Sequence, residues 1–400
     1  MRTSKFTALL SLVAFGLLLT SCGKVRSWLS GNPAPPKAEV VETEPVASVL
    51  DGIPFKLTKE SKKWGILALD GTVLVPDTLT AEPSNAVGGL FLLPTGRGTY
   101  EYYTAEADPQ KVGGEYVRAG LFYADVAPCV ERGKNYIQFI KKDGTLAFDF
   151  KEVDGKPVEW VGRFHDGLAA FKAGKYVGYV NTQGKVVVEP RFVEGARFND
   201  GLALVVDTAG NNEADYRAKN AYRISIIDVE GRVQEHSFSS ADSIGEYFCE
   251  GLLTTGVAPE DTLPRKYSFV DPTGTTIIPE HEDYEQLGNM CGTHFAFYNN
   301  RGWGIADNQA SVIITPIYEK VVFIGKTTVA LCLYGNYKIL NYAGEQLTKK
   351  NYNEMISLED GQHIIGLQKE KWYLLDHDAD VWGDAYYKLS FNPGDEILKR

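Results

Sequence analysis

The chain has 400 residues, 44% of them hydrophobic, with a formal charge of −11. That is enough apolar material for a core, and the acidic balance argues against a nucleic-acid grip, which needs clustered Lys and Arg to neutralise phosphate. Forty glycines, eighteen prolines and 12% aromatics beside three methionines favour short strands and many turns over long helices.

In chain order, residues 1–21 come first: basic "MRTSK", then the fourteen-residue apolar run "FTALLSLVAFGLLL". This is a signal peptide, too short to span a membrane as a helix. Leu19-Thr20-Ser21-Cys22-Gly23 resembles the lipobox of bacterial lipoproteins, which implies cleavage before Cys22 and lipidation of that cysteine. Each buried lipid methylene contributes about 0.8 kcal/mol, so several acyl chains would hold the protein on a membrane durably. Arg2 and Lys5 are the only charges in the leader, and without it the charge falls to −13. Residues 22–50, with Pro33, Pro35, Pro36 and Pro45 and little periodicity, read as an extended tether. Lys24 and Arg26 after Cys22 lack the acidic run that resembles a surface-export signal. The periplasmic face of an outer membrane is therefore the expected location.

From residue 51 onward the chain repeats itself. "KWGILALDGTVLVP" at 63–76 returns as "KYVGYVNTQGKVVVEP" at 175–190. The same aromatic-to-turn spacing brings in glycines 144, 231, 274 and 344, while Trp303 and Trp372 begin copies that have Ala310 and Ala379 where the others have glycine. The period is near 35–47 residues, and the gap from Gly71 to Gly144 is expected to hide an eroded copy. Each copy reads as a hairpin of β-branched and aromatic strands around an Asx-to-Gly turn. The prolines at 76, 190, 279 and 316 are expected to stop the second strand, since proline cannot donate to a ladder. A further strand precedes each aromatic, behind an acidic turn: "FHDGLAAF" from Phe164, "FNDGLALV" from Phe198, "FCEGLLTT" from Phe248 and a weaker "AGLFYADV" from Ala119. One unit is thus three strands, and such units must stack to cover both faces.

The pattern [WY]-G-x-x-[DN]-x-x-G followed by a valine strand, proline and F-x-[DE]-G-L resembles the WG-repeat proteins over residues 60–380. The resemblance implies a β-rich binding scaffold in the bacterial envelope with no catalytic residues to carry over. The expected fold is all-β: an array of about eight antiparallel three-stranded units, closed as a propeller-like ring or open as a superhelix.

Motifs for chemistry are missing: there is no HExxH, GxSxG, phosphate-binding loop or CxxC. Cys129, Cys249, Cys291 and Cys332 would allow three disulfide connectivities, or remain buried thiols. "HED" at 281–283 reads as a solvated turn. "DHDAD" at 376–380 has the first carboxylates of a calcium loop but lacks its later Gly and Glu, so it reads as a hairpin turn. The repeated aromatics Trp64, Tyr136, Tyr176, Tyr222, Tyr267, Trp303, Tyr337 and Trp372 are expected to form the core ladder between units. No metal or cofactor is implied.

The expected function is a membrane-anchored, non-catalytic scaffold for an envelope protein or glycan, with no nucleic-acid partner. The alternative is an exported hydrolase built on the same scaffold. The link from the Gly-Leu strand to the aromatic takes 9 residues from Gly167 to Tyr176 but 21 from Gly201 to Tyr222, 16 from Gly251 to Tyr267 and 16 from Gly120 to Tyr136. Such insertions project from one edge of a repeat body. The longest, 207–221, carries Asp215, Tyr216, Arg217 and Lys219, residue types suited to a binding rim. Replacement of Cys22 by Ser is expected to move the protein from the membrane to the soluble fraction or leave it uncleaved; an unchanged membrane fraction would refute lipidation.

Overall fold

The middle strand of each unit is apolar on both faces, and everything else in the fold follows from covering it. The computed structural model describes residues 50–208, 222–239, 242–257 and 265–400. Cys22 and the whole leader lie outside these residues, as do Asp215, Tyr216, Arg217 and Lys219. All regular structure among the described residues is β-strand, paired antiparallel throughout. Ile66 and Leu67, Ile226 and Ile227, Ile305 and Ala306, and Leu374 and Leu375 are all fully buried. Each such pair points one residue to either neighbouring sheet.

The units are larger than three strands. The sheet after Phe192 is ordered Glu194–Gly195, Leu202–Thr208, Tyr222–Asp228 and Val233–Ser239. The short first strand pairs Glu194 with Val206 and Gly195 with Val205. Two residues carry no periodicity, which is why the pattern does not reveal them. Ser243–Ile244 and Ala86–Val87 recur in the same role. Lys388–Leu389 does so too, and like Ala86–Val87 it pairs with the first strand, Leu50–Lys56, here through Phe55 and Leu389. Phe55 and Tyr386 bring their ring centroids within 5.1 Å, and the first and last sheets share one apolar cluster. Between Gly71 and Gly144, where an eroded copy is expected, the chain forms Leu90–Pro94, Tyr100–Thr104 and Lys111–Ala119.

The prolines do not stop their strands. Pro76, Pro190 and Pro316 sit inside Val73–Leu79, Val186–Phe192 and Val312–Tyr318; only Pro279 lies just beyond its strand, Thr276–Ile278. At each internal proline the ladder slips: Val177 faces Phe192 and Tyr179 faces Val188, two residues against four. The missing donor is tolerated because it falls in the bulge. This explains the glycines that follow Trp64, Tyr176 and Trp303. A Cβ on Gly65, Gly178 or Gly304 would lie 2.5, 2.4 or 2.6 Å from the carbonyl oxygen of Val75, Val188 or Ile314, so the bulged strand passes where a side chain would stand.

The repeated aromatics are not a uniform core ladder. Trp64 and Tyr337 are buried, but Tyr136, Tyr176, Tyr222, Tyr267, Trp303 and Trp372 are half-buried. Several lie under lysines: Lys56 is 4.8 Å from the Trp64 ring centroid and Lys151 4.4 Å from that of Tyr136. They cap the strand end, and the residues after them fill the core.

The acidic turns join units. Asp166 and Gly167, Asp200 and Gly201, and Glu250 and Gly251 are all left-handed, the geometry of a tight two-residue hairpin. The Gly201 N–H donates to Asp166 Oδ2 at 2.9 Å, Gly251 N–H to Asp200 Oδ2 at 2.9 Å, and Gly292 N–H to Glu250 Oε1 at 3.3 Å. Beside them the Cys249 thiol donates to the Met290 carbonyl and the Cys291 thiol to that of Gly325. All four described cysteines are free; burial pushes the Cys129 thiol up to about 12. In "AGLFYADV" the left-handed residue is Ala124, and the strand is Val126–Glu131. The link from there to Tyr136 is therefore short, and Gly120 to Tyr136 is not an insertion.

Ala310 and Ala379 keep the left-handed conformation of the glycines they stand for, at φ of 62° and 64°. Ala310→Gly is expected to stabilise the fold by about 0.5–1 kcal/mol by relieving that strain. Gly178→Ala is expected to cost about 2–3 kcal/mol through the clash with Val188. Chemical denaturation of the two variants checks both signs.

Candidate functional site

Three segments far apart in sequence converge on one cleft. The strand Lys156–Gly162 runs into Arg163, Phe164 and His165, the approach to the Asp166–Gly167 turn. Glu359 comes from the turn between Glu354–Ser357 and His363–Gln368. Glu396 comes from the segment after Lys388–Leu389, which ends in a last strand, Ile397–Lys399, laid along Lys156–Gly162. Beside these lies a cavity of about 320 Å³, into which Arg197 and Asn199 also face.

Arg163 organises the charges. Its guanidinium donates to both oxygens of Glu359 at 2.8 and 2.9 Å, a bidentate fork, and to Glu396 Oε2 at 3.5 Å. Glu396 Oε1 also lies 3.2 Å from His165 Nε2. The bond to Glu359, ahead of the opposing effect of burial, raises the already high pKa of Arg163. Burial acts to raise the Glu396 carboxyl, but the His165 hydrogen bond and the charges of Arg163, His165 and Arg197 outweigh it and hold it below the usual range. Arg197 has no carboxylate at ion-pair distance among the described residues; its guanidinium lies 4.0 Å from the Tyr247 ring centroid.

The last segment is fixed at two points. The Asn392 N–H donates to Asn85 Oδ1 at 2.8 Å, the Asn85 N–H to the Asn392 carbonyl at 2.9 Å, and Asn392 Nδ2 to the Pro83 carbonyl at 3.1 Å. Further on, the Arg163 N–H donates to the Glu396 carbonyl at 3.0 Å and Arg400 N–H to that of Glu159 at 3.1 Å. Leu398 is buried beside Tyr123, Val161 and Phe164.

Chemically this is a cleft of paired charges. A general acid needs a raised carboxyl pKa, whereas Glu396 is held ionised and Glu359 is bound to a guanidinium. No group of three or more ligating side chains suited to a metal occurs among the described residues. His281 accepts from the Asp283 N–H in its own turn. Asp376 accepts from the N–H groups of Asp378 and Asp380 and from Trp382 Nε1, so the "DHDAD" stretch is a hairpin turn.

Asp215, Tyr216, Arg217 and Lys219, the rim residues expected from the sequence, lie outside the described residues. The strands that flank them pair antiparallel, Leu202 with Asp228 and Thr208 with Tyr222. Sequence reasoning did not find Arg163, His165, Glu359 or Glu396. Their only available signal was the "RFH" run before an acidic turn, since the partners lie 196 and 233 residues apart.

The family described as WG containing repeat matches residues 178–207. That stretch runs from the glycine under the bulge, through Pro190, into the strand after the acidic turn. Among curated proteins none matches the sequence. The crystal structure of a eukaryotic initiation factor is similar at a TM-score of 0.55 and 14% identity, covering 84% of this chain and 97% of that one. Dipeptidyl peptidase 4 from Porphyromonas gingivalis gives 0.46 at 10% identity, covering 85% and 59%. Such neighbours are β-propeller-like proteins, and the first likeness shows the fold alone.

Because the Glu396 pKa is lowered in the folded chain, its stabilisation is present above the ordinary carboxyl value of about 4.3 and lost as pH falls through the lowered one. The protection of the Ile397–Lys399 amides, with exchange corrected for its intrinsic pH dependence, is expected to fall as pH drops below the ordinary carboxyl value of about 4.3. In Glu396→Gln this acid dependence should flatten; an identical pH profile in the variant would show that another group governs the strand.

Proposed function

We propose that the chain is a non-catalytic binding module for an envelope protein, tethered through lipidated Cys22, at the periplasmic face of an outer membrane. In this reading the units close into a propeller-like ring of nine: eight with an Asx turn, and the eroded copy around Tyr100–Thr104. The pairing of Lys388–Leu389 with Leu50–Lys56, the shared cluster of first and last sheets and the likeness at a TM-score of 0.55 support closure.

The observation that carries the binding reading is the state of the cleft. Glu359 and Glu396 are committed to Arg163, and Arg197, without a carboxylate partner among the described residues, lies over the Tyr247 ring. An arginine stacked on an aromatic is pre-ordered for a partner's carboxylate, at a residue pair common in binding hot spots. The hydrolase alternative would need a carboxyl whose pKa is raised, the reverse of Glu396. A second contact region is the 207–221 link with Asp215, Tyr216, Arg217 and Lys219, on account of its length.

Crosslinking in native envelopes followed by affinity capture separates these. Arg197→Glu is expected to abolish partner retention while the strand spectrum is unchanged, and shortening 207–221 to a tight turn is expected to weaken it. Loss only on shortening would transfer the contact from the cleft to the 207–221 link. If the unaltered chain retains nothing, the binding reading falls.

A further inference from the structure

The last strand is bound the way a foreign peptide would be. Ile397–Lys399 adds to the free edge of Lys156–Gly162 with Gly162 opposite Ile397, Val161 opposite Leu398 and Trp160 opposite Lys399. Main-chain pairing along an edge with alternate side chains entering pockets is how sheets take up extended peptides. The alternation here is complete: Glu396 reaches Arg163 and His165, and Leu398 enters the apolar cluster of Tyr123, Val161 and Phe164. Ile397, between them, is 43% exposed.

We propose that this edge is a peptide-binding site, filled in cis by residues 395–399, and fitted to an extended segment of a partner with a carboxylate two residues before a leucine. The proposal rests on the reading of the chain as a protein-binding module and names the kind of partner.

Three features separate the edge from its present occupant. The strand is not what joins the first and last sheets, because Lys388–Leu389 already makes that pairing upstream. Asn392 is held independently by Asn85 and Pro83, so residues 395–400 can leave while the preceding chain stays. The holding contact is small: three paired residues, one buried leucine and an ion pair whose Glu396 side chain is 55% exposed, the exposed kind that contributes little. The receptor side, by contrast, is built without the strand. Glu359 grips both nitrogens of Arg163 and fixes its plane, and Arg197 on Tyr247 stands beside Asp395 and Glu396 along the same cavity. A second acid next to the first therefore also has a cation to meet.

The test uses the full chain with Glu396→Lys and Leu398→Asp together, to release its own strand. A fluorescein-labelled peptide of residues 392–400 is titrated and followed by anisotropy. Expected is binding to the released chain in the micromolar range, roughly tenfold or more weaker binding to the unaltered chain, and roughly tenfold loss when the peptide carries E396Q and L398A. A released chain that keeps its strand spectrum yet takes up no peptide at about 1 mM overturns the proposal. If that variant loses its strand spectrum, a protease site placed between Pro393 and Gly394 decides: displacement of the nicked segment by labelled peptide supports the site, and a segment that never exchanges overturns it. Peptide binding without any envelope partner would leave the edge standing and sink the envelope reading. Envelope capture without peptide binding would do the reverse.

Discussion

Burial of the middle strand on both faces is the constraint that the structure answers at every step. A fully buried Ile, Leu or Phe contributes on the order of 1.5–3 kcal/mol, and the middle strands turn such residues to both sides. A single sheet leaves one of those faces wet, so no unit has a reason to fold before its neighbour arrives. The sharing of apolar clusters across sheet boundaries, from Phe150, Phe164 and Phe171 to Ile324, Tyr352 and Leu375, is the direct expression of that dependence. Stability here belongs to boundaries rather than to units, as in stacked repeats generally.

Stacking strands so closely creates polar obligations, and the repeat motif settles them locally. Asx residues at the hairpin turns accept from the backbone two and four residues on, as Asp307 does from Gln309 and Ser311. The acidic residue of the other turn reaches across the boundary to the next left-handed glycine. The motif positions thus divide between two jobs: the glycine after the aromatic makes room inside a unit, and the acid before the Gly-Leu strand ties one unit to the next. Neither job is catalytic, and both explain the recurrence of these residue types without any ligand.

Much of this was legible in the sequence. Hairpins, turn residues and the all-β class follow from period-two patterns and left-handed glycines, which are local. The two-residue strands Glu194–Gly195 and Ser243–Ile244 that open their sheets were too short to have a pattern. The prolines misled because proline's missing donor is fatal only in a regular ladder, and at Pro76, Pro190 and Pro316 the ladder is bulged. The aromatic ladder misled because fixed register signals a repeated environment without saying that the environment is a core. The cleft was out of reach for another reason: Arg163 recurs as Arg197 before the next acidic turn, but its partners Glu359 and Glu396 lie 196 and 233 residues away, and only the return of the chain after Lys388–Leu389 brings Glu396 to it.

That return has a consequence for how such a chain can change over generations. Stacked repeat proteins ordinarily lengthen or shorten by gaining or losing copies at an end, where one side has no neighbour. In the proposed ring, which the pairing of Phe55 with Leu389 supports, neither end is vacant. A duplicated copy could enter only by prising apart two sheets that already cover one another, and a deleted copy would strip both of its neighbours at once. Copy number is therefore held fixed by packing while individual copies remain free to drift. The eroded unit around Tyr100–Thr104 and the alanines at 310 and 379 fit that expectation: wear accumulates inside copies that cannot be discarded.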